Sequence, residues 1–189
     1  MAAISVTNPL SELRAVFNKM DEVYYKSTEI KTTDLASALT VDMELPVLED
    51  GVTFNTGEPE TTEIKLTTGA NWVVRTDKGD SDISFQVASL KGEVNDLFMD
   101  KKNTVSSSSN LDATATYAGA AYSLAPKKVA GSLIMMSDSK DVIVILTNIE
   151  MYGSLVVADG DNPAYFQATV TPLENSEGAE IIILEKEAE

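Results

Sequence analysis

Residues 142–146 read Val142-Ile143-Val144-Ile145-Leu146, a continuous apolar run that follows the turn residues Asp138-Ser139-Lys140-Asp141. A short unbroken run of this kind is typical of a strand that is covered on both faces. The last third of the chain contains several more segments with strand character. They are Ala130–Met136, Ile149–Val157, Tyr165–Thr171 and Ile181–Leu184.

Earlier in the chain, apolar and polar residues alternate with a period of two, which predicts half-buried strands. These segments are Val41–Leu45, Thr62–Thr67 and Ile83–Val87, with the short apolar run Trp72–Val74 between the last two. Turn residues separate them, so we interpret them as an antiparallel meander. Many short strands with few helices predict a mainly β fold, an antiparallel β-sandwich or barrel with one or two flanking helices.

Two segments have helical spacing. The first, Leu10–Tyr24, predicts an amphipathic helix capped by Asn8 and Pro9. Its apolar face covers either the core of its own domain or a neighbouring subunit. The second, Leu90–Met99, predicts a short helix against the sheet. If the first helix is a docking arm, its candidate contact residues are Leu13, Phe17 and Met20.

Residues 101–128 have no evident core pattern and predict a long loop or an extended hairpin. Stretches of this length are uncommon in compact domains and often take part in function. The candidate contact residues for a neighbouring subunit are Ser106, Ser109, Tyr117 and Tyr122. The predicted organisation is therefore an N-terminal helical arm over 1–40, a β domain over 41–184, and a short acidic tail over 185–189.

The composition argues against most catalytic chemistry. The 189 residues contain no histidine and no cysteine, the side chains most used near neutral pH for acid–base, nucleophilic and transition-metal chemistry. The sequence also contains two clusters of aspartates, Asp77/Asp80/Asp82 and Asp159/Asp161. Their spacing fits ordinary turns better than a calcium-binding loop. We therefore expect no enzyme activity, no metal and no cofactor.

The formal net charge of −16 disfavours a nucleic-acid-binding surface, because binding phosphates requires clustered lysine and arginine. The first residues lack the pattern of a signal peptide, and no apolar run reaches the ~20 residues of a membrane span. The sequence predicts a soluble protein that makes no membrane contact.

The order of segments resembles that of the major tail tube proteins of tailed bacteriophages. The resemblance spans roughly residues 40 to 172. It rests on Leu45–Phe54, Ile64–Trp72, and Asp82–Leu90 leading into a short helix. It implies a β-barrel or sandwich that assembles into hexameric rings, which stack into a hollow tube through which DNA passes. The implied partners are further copies of the chain and other tail proteins. The implied location is the virion tail, after synthesis in the host cytoplasm.

Within such a tube, an acidic lining would repel the phosphate backbone, so DNA would pass without specific binding. The candidate lining residues are Asp42 and Glu44 on the polar face of a predicted strand. Two other interpretations stay open: a tube protein of a bacterial contractile secretion system, and a β-sandwich binding or decoration module of a virion.

Overall fold

The computed structural model describes residues 15–49, 52–108, 112, 114–157 and 163–187. This part of the chain is mainly β, with antiparallel sheets and one α-helix. The strands are β1 Met20–Lys26, β2 Met43–Leu45, β3 Thr53–Asn55, β4 Glu60–Lys65, β5 Asn71–Asp77, β6 Asp82–Val87, β7 Asp100–Ser108, β8 Tyr117–Ser123, β9 Val129–Ser137, β10 Val142–Val156, β11 Tyr165–Leu173 and β12 Ile181–Glu185. The helix α1 covers Gly92–Phe98, and a short 3₁₀ helix covers Thr32–Ala36.

The main sheet has the order β2-β1-β9-β10-β11-β6-β3. Strands β12 and β11 both pair with the same edge of β10. β12 pairs with its first part and β11 with its second part. The two apolar segments predicted around residues 142–157 form this single long strand, with an irregularity in its pairing to β9 between Leu146 and Ile149. β9 remains the partner of β10 on both sides of this irregularity.

The strand ladder ends at β2 and β3, so the sheet does not close into a barrel. The chain that follows β2 nevertheless reaches the opposite end of the sheet. Val47 forms an isolated bridge with Val87, and the Ala88 N–H donates to the Pro46 carbonyl at 2.8 Å. Pro46 has no N–H to donate, which interrupts the ladder at this point.

Both faces of β9 and β10 are covered, as the apolar runs predict. Met135 and Leu146 belong to the larger buried cluster, together with Phe98 of α1. Ile134 and Ile145 face the other way and pack against Ile30. Partly buried side chains between residues 35 and 41 extend this second cluster. The segment that contains the 3₁₀ helix therefore covers one face of the sheet.

Two expectations need correction. The helix predicted over Leu10–Tyr24 is wrong in its described part, because Met20–Lys26 is strand β1 and residues 15–19 are irregular. Val23 and Tyr25 alternate into the core and pair with β9, so tertiary pairing overrides the helical spacing. Residues 1–14 lie outside the described part of the chain.

The predicted meander is also wrong, because β4 pairs with β5 while β3 pairs with β6. One hairpin is thus inserted between two paired strands. The long segment over 101–128 forms the second of the two alternatives: β7 and β8 pair as an extended antiparallel hairpin. Its strands hold few large apolar residues, so core-pattern analysis could not identify them.

Candidate interaction surface

Two hairpins extend from the main sheet, and they form the most distinctive surface of the described chain. The first hairpin comprises β4, β5 and their turn. The second comprises β7 and β8. Neither pairs with the main sheet. Every residue of β4 and β5 is exposed, so neither face of the first hairpin lies against a core.

The register of the first hairpin places Ile64 opposite Val73 and Thr62 opposite Arg75. Gly69 has a φ of 84°, and its N–H donates to the Leu66 carbonyl at 2.9 Å to close the turn. A backbone angle in this region favours glycine. At the root, a Cβ added to Gly79 would lie 2.0 Å from the Glu58 carbonyl oxygen, so the two chain segments approach closely there.

The first hairpin exposes large apolar side chains on both faces. Trp72, the only tryptophan of the chain, is 71% exposed, and Val74 is 55% exposed. Ile64 on the opposite face is 51% exposed. Scattered apolar residues are ordinary on protein surfaces, but several on one narrow hairpin make it a candidate interaction site.

The second hairpin is polar and rich in small residues. Tyr117 is half exposed, and its hydroxyl lies 3.5 Å from an Asp112 oxygen. Near the root, the Tyr122 hydroxyl donates to Asp96 at 2.7 Å, which lowers the pKa of the Asp96 carboxyl and raises the pKa of Tyr122. Ser106 is exposed on β7, whereas Ser109 lies outside the described residues.

Neither hairpin carries a strong net charge. Residues 100–123 hold two lysines and two acids, which gives a net charge of zero. Residues 60–77 hold three acids against two basic residues, which gives −1. Among the described residues, Lys102 has neither an ion-pair partner nor a hydrogen bond from its side chain.

Asp42 and Glu44, the candidate lining acids, are exposed at and just before β2. Asp42 accepts hydrogen bonds from the N–H and the hydroxyl of Ser27, both at 2.6 Å, and these lower the pKa of its carboxyl. Glu44 lies opposite Tyr24 in the register. Asp42 therefore has a local structural contact, while Glu44 projects from an end strand.

Of the three candidate arm residues, Phe17 and Met20 pack against the core of their own chain. Leu13 lies outside the described residues. Phe17 and Met20 also line a groove of about 340 Å³ together with Val52, Phe54, Met135 and Val144. A second cleft of about 380 Å³ lies between residues 123–126 and the end of β10.

Within residues 15–49, 52–108, 112, 114–157 and 163–187, no group of three or more acidic residues is arranged to hold a metal ion. Asp77 instead accepts a hydrogen bond from Arg75 at 2.7 Å. Asp159 and Asp161 lie outside the described residues. No helix found in these ranges is long and apolar enough to span a membrane. The chain matches no protein-family model, and no curated protein matches it significantly.

Proposed function

We propose that this protein is a structural subunit of a phage tail tube, which assembles with copies of itself into rings that stack around a channel. The observation that carries the proposal is the fully exposed first hairpin with Trp72, Val73 and Val74. A hairpin of two strands is marginally stable in water unless something packs against it. A neighbouring subunit would supply that packing.

The electrostatics support the channel part of the proposal. With a net charge of −16, a ring of such subunits would present an acidic wall to DNA. Like charges repel over about 8 Å at physiological salt, so the phosphate backbone would pass without adhering. Both candidate lining acids, Asp42 and Glu44, are exposed, and the hydrogen bonds from Ser27 lower the pKa of Asp42 and so favour its charged form.

Negative-stain electron microscopy over a concentration series tests this function. We expect rings with a central hole, and stacked tubes at the highest concentrations. Analytical ultracentrifugation on the same samples measures the mass of the smallest closed species. Uniform monomers at every concentration would contradict the proposal.

A non-catalytic binding module of a virion is the second candidate. The cleft of about 380 Å³ favours it, because Phe98, Leu124 and Tyr152 line a space that a ligand side chain could enter. In that case the chain would remain monomeric, and substitution of Leu124 would weaken ligand binding without affecting particle size.

A further inference from the structure

Residues 27–42, which we call the strap, connect β1 to β2 across one face of the main sheet. Ile30 is the only buried residue of the strap, and it packs with Ile134 of β9 and Ile145 of β10. The Ile30 N–H donates to the Thr147 carbonyl at 2.8 Å. A segment with a single buried side chain opens at a lower free energy than a core strand, because few apolar contacts break.

Two carboxylates exchange hydrogen bonds between the strap and the loop over 174–180, which connects β11 to β12. Glu29 of the strap accepts from the Ser176 N–H at 3.0 Å and from the Ser176 hydroxyl at 2.8 Å. Glu177 of the loop accepts from the Thr32 N–H at 2.8 Å and from the Thr32 hydroxyl at 2.9 Å. We call these four hydrogen bonds the clasp. Because Thr32, Ser176 and Glu177 are exposed, protons from the solvent reach the clasp.

A third carboxylate joins the two ends of the strap, because Asp42 accepts from the N–H and the hydroxyl of Ser27. The hydrogen bonds from Ser176 lower the pKa of the Glu29 carboxyl, and those from Ser27 lower the pKa of Asp42. Hydrogen bonds to a charged carboxylate are stronger than those to its neutral form. The stabilisation by Glu29 and Asp42 is therefore complete above their unfolded pKa values of about 4.3 and about 3.9, and it is lost as the pH falls through the lower folded values.

Lysines face two of these carboxylates. Lys31 Nζ lies 3.3 Å from a Glu29 oxygen, and the charge of Lys26 attracts Asp42. Within the part of the chain that the structure describes, Glu177 has no ion-pair partner. Lysines stay charged throughout the acid range, so only the carboxylates change their charge there. Acid is therefore the condition that weakens the contacts between the strap and the loop.

We propose that the strap is a cover that acid releases: when the clasp carboxylates are protonated, residues 27–42 lift while the main sheet stays folded. Lifting uncovers an apolar face of the sheet that includes Ile134, Ile145 and Ile182. The opening takes place within one copy of the chain, so this inference does not depend on the proposed function.

Hydrogen exchange measured by NMR tests the cover. The Ile30 amide is the reporter, because it exchanges only when the strap lifts or the whole chain unfolds. The amides of residues 133–135 are the reference, because β9 is paired on both edges. Between about pH 6 and about pH 3.5, we expect the protection factor of Ile30 to fall about tenfold more than that of the reference amides. Equal falls, or no fall for Ile30, would overturn the proposal.

The variant Glu29→Gln/Glu177→Gln mimics the protonated clasp at pH 7, because a glutamine keeps one acceptor oxygen but carries no charge. We expect its Ile30 protection factor at pH 7 to be about tenfold lower than that of the wild type, with the reference amides changed by less than about twofold. The control Glu60→Gln/Glu185→Gln removes the same two charges at exposed positions outside the strap and the loop. Its Ile30 protection factor should stay within about twofold of the wild type.

Binding of the dye anilinonaphthalene sulfonate measures the uncovered apolar face. At pH 7 we expect more dye fluorescence from the clasp variant than from the control, while the far-UV circular dichroism of the two variants stays equal. Equal dye binding by the two folded variants contradicts the uncovering of this face and overturns the proposal. If the clasp variant does not fold, the wild-type exchange between about pH 6 and about pH 3.5 decides alone, since it requires no substitution.

Discussion

Individual polar side chains hold the segment from residue 27 to residue 42 against the sheet. The buried Asn175 donates from its amide nitrogen to the Ile30 carbonyl at 2.8 Å. Its amide oxygen accepts from the backbone N–H groups of Glu177 at 2.9 Å and Ala179 at 3.0 Å. The two ends of the segment are also joined, because the Ser27 N–H donates to the Asp42 carboxylate. A buried side-chain amide whose nitrogen and oxygen both have partners favours one arrangement, since an alternative that breaks these bonds leaves it unsatisfied.

A close approach between α1 and β10 predicts an intolerant glycine. A Cβ at Gly153 would lie 2.4 Å from Phe98 Cδ1, and the Phe98 ring stacks on Phe166 with centroids 5.0 Å apart. We expect Gly153→Ala to lower the free energy of unfolding by about 1 to 3 kcal/mol, because the ring must move within a packed core. Urea denaturation measures this change.

Gly119 provides the matched control for that experiment. It lies exposed on β8, and nothing lies within 4 Å of an added Cβ. Gly119→Ala should leave the urea midpoint unchanged or raise it slightly. Equal loss of stability in both variants would contradict the proposed crowding at Gly153.

The contact between Asp42 and Ser27 predicts a pH-dependent loss of stability. The pKa of Asp42 is lowered in the folded state, so its stabilising effect is complete above the unfolded value of about 3.9. The effect is lost as the pH falls through the lower folded pKa. Asp42→Asn should therefore have a lower urea midpoint than the wild type at pH 7, and the difference should shrink below about pH 4.

Each variant is compared with the wild type at the same pH, so the effect on stability of titrating all the other acids is common to both. Glu44→Gln is the matched control, because the Glu44 carboxylate accepts no hydrogen bond from the residues that the structure describes. At pH 7, the urea midpoint of Glu44→Gln should differ from that of the wild type by less than the midpoint of Asp42→Asn does. A difference for Asp42→Asn that stays constant from pH 7 to pH 2 would contradict the role of this carboxylate.

At the scale of elements, the main sheet and the first hairpin differ in what stabilises them. Strands β9 and β10 pack on both faces, and their side chains form the two buried clusters. The first hairpin has a ladder of backbone hydrogen bonds and a closed turn, but no buried face. Its exposed apolar side chains therefore contribute little to the stability of the isolated chain, and their effect is expected in association.

This difference predicts a separation of stability from assembly. Trp72→Thr/Val74→Thr keeps β-forming residues in β5 while removing apolar surface. We expect the free energy of unfolding of the monomer to change by less than about 0.5 kcal/mol, while rings and tubes disappear at concentrations where the wild type forms them. Urea denaturation and electron microscopy measure the two effects.

Ile183→Thr serves as the matched control, because Ile183 is 63% exposed but lies on β12, which is part of neither hairpin. Ile183→Thr should form rings and tubes at the same concentrations as the wild type. If Ile183→Thr abolishes assembly as fully as the β5 variant does, general surface hydrophobicity drives association and the first hairpin has no special part in it.

At the scale of the whole molecule, charge is unevenly distributed along the chain. Thirty acidic residues against 14 basic ones make two copies repel each other at long range. The proposed packing of a neighbouring copy against the first hairpin acts only at short range. Salt therefore weakens the long-range repulsion more than the short-range contact, because the Debye length falls from about 30 Å at 0.01 M to about 8 Å at 0.15 M.

We expect the assembly concentration to fall as salt rises from about 0.01 M to about 0.15 M, since the long-range repulsion is screened before the contact is. Light scattering across a salt series measures the onset of assembly. An onset concentration that rises steadily with salt would contradict this account.

Local patterns identified most of the secondary structure. The alternating segments around β2, β4 and β6 and the apolar run of β10 are confirmed as strands, and α1 forms within the predicted range. β2, β6, β10 and α1 could be predicted because side-chain periodicity reports on burial, and burial dominates their stability. The prediction that Thr62–Thr67 is half-buried is wrong, because β4 is a strand whose residues are all exposed. The mainly β, antiparallel fold class follows from their number and spacing.

Long-range pairing decided what local patterns could not. Met20–Lys26 is a strand because β9 lies beside it, although its spacing also fits a helix. The nesting of the first hairpin between β3 and β6 depends on which strands pair, since β3 pairs with β6 across the inserted hairpin. Composition alone determines the net charge of −16. The positions of the charges on the surface are decided by the tertiary structure, since they depend on which strands pair.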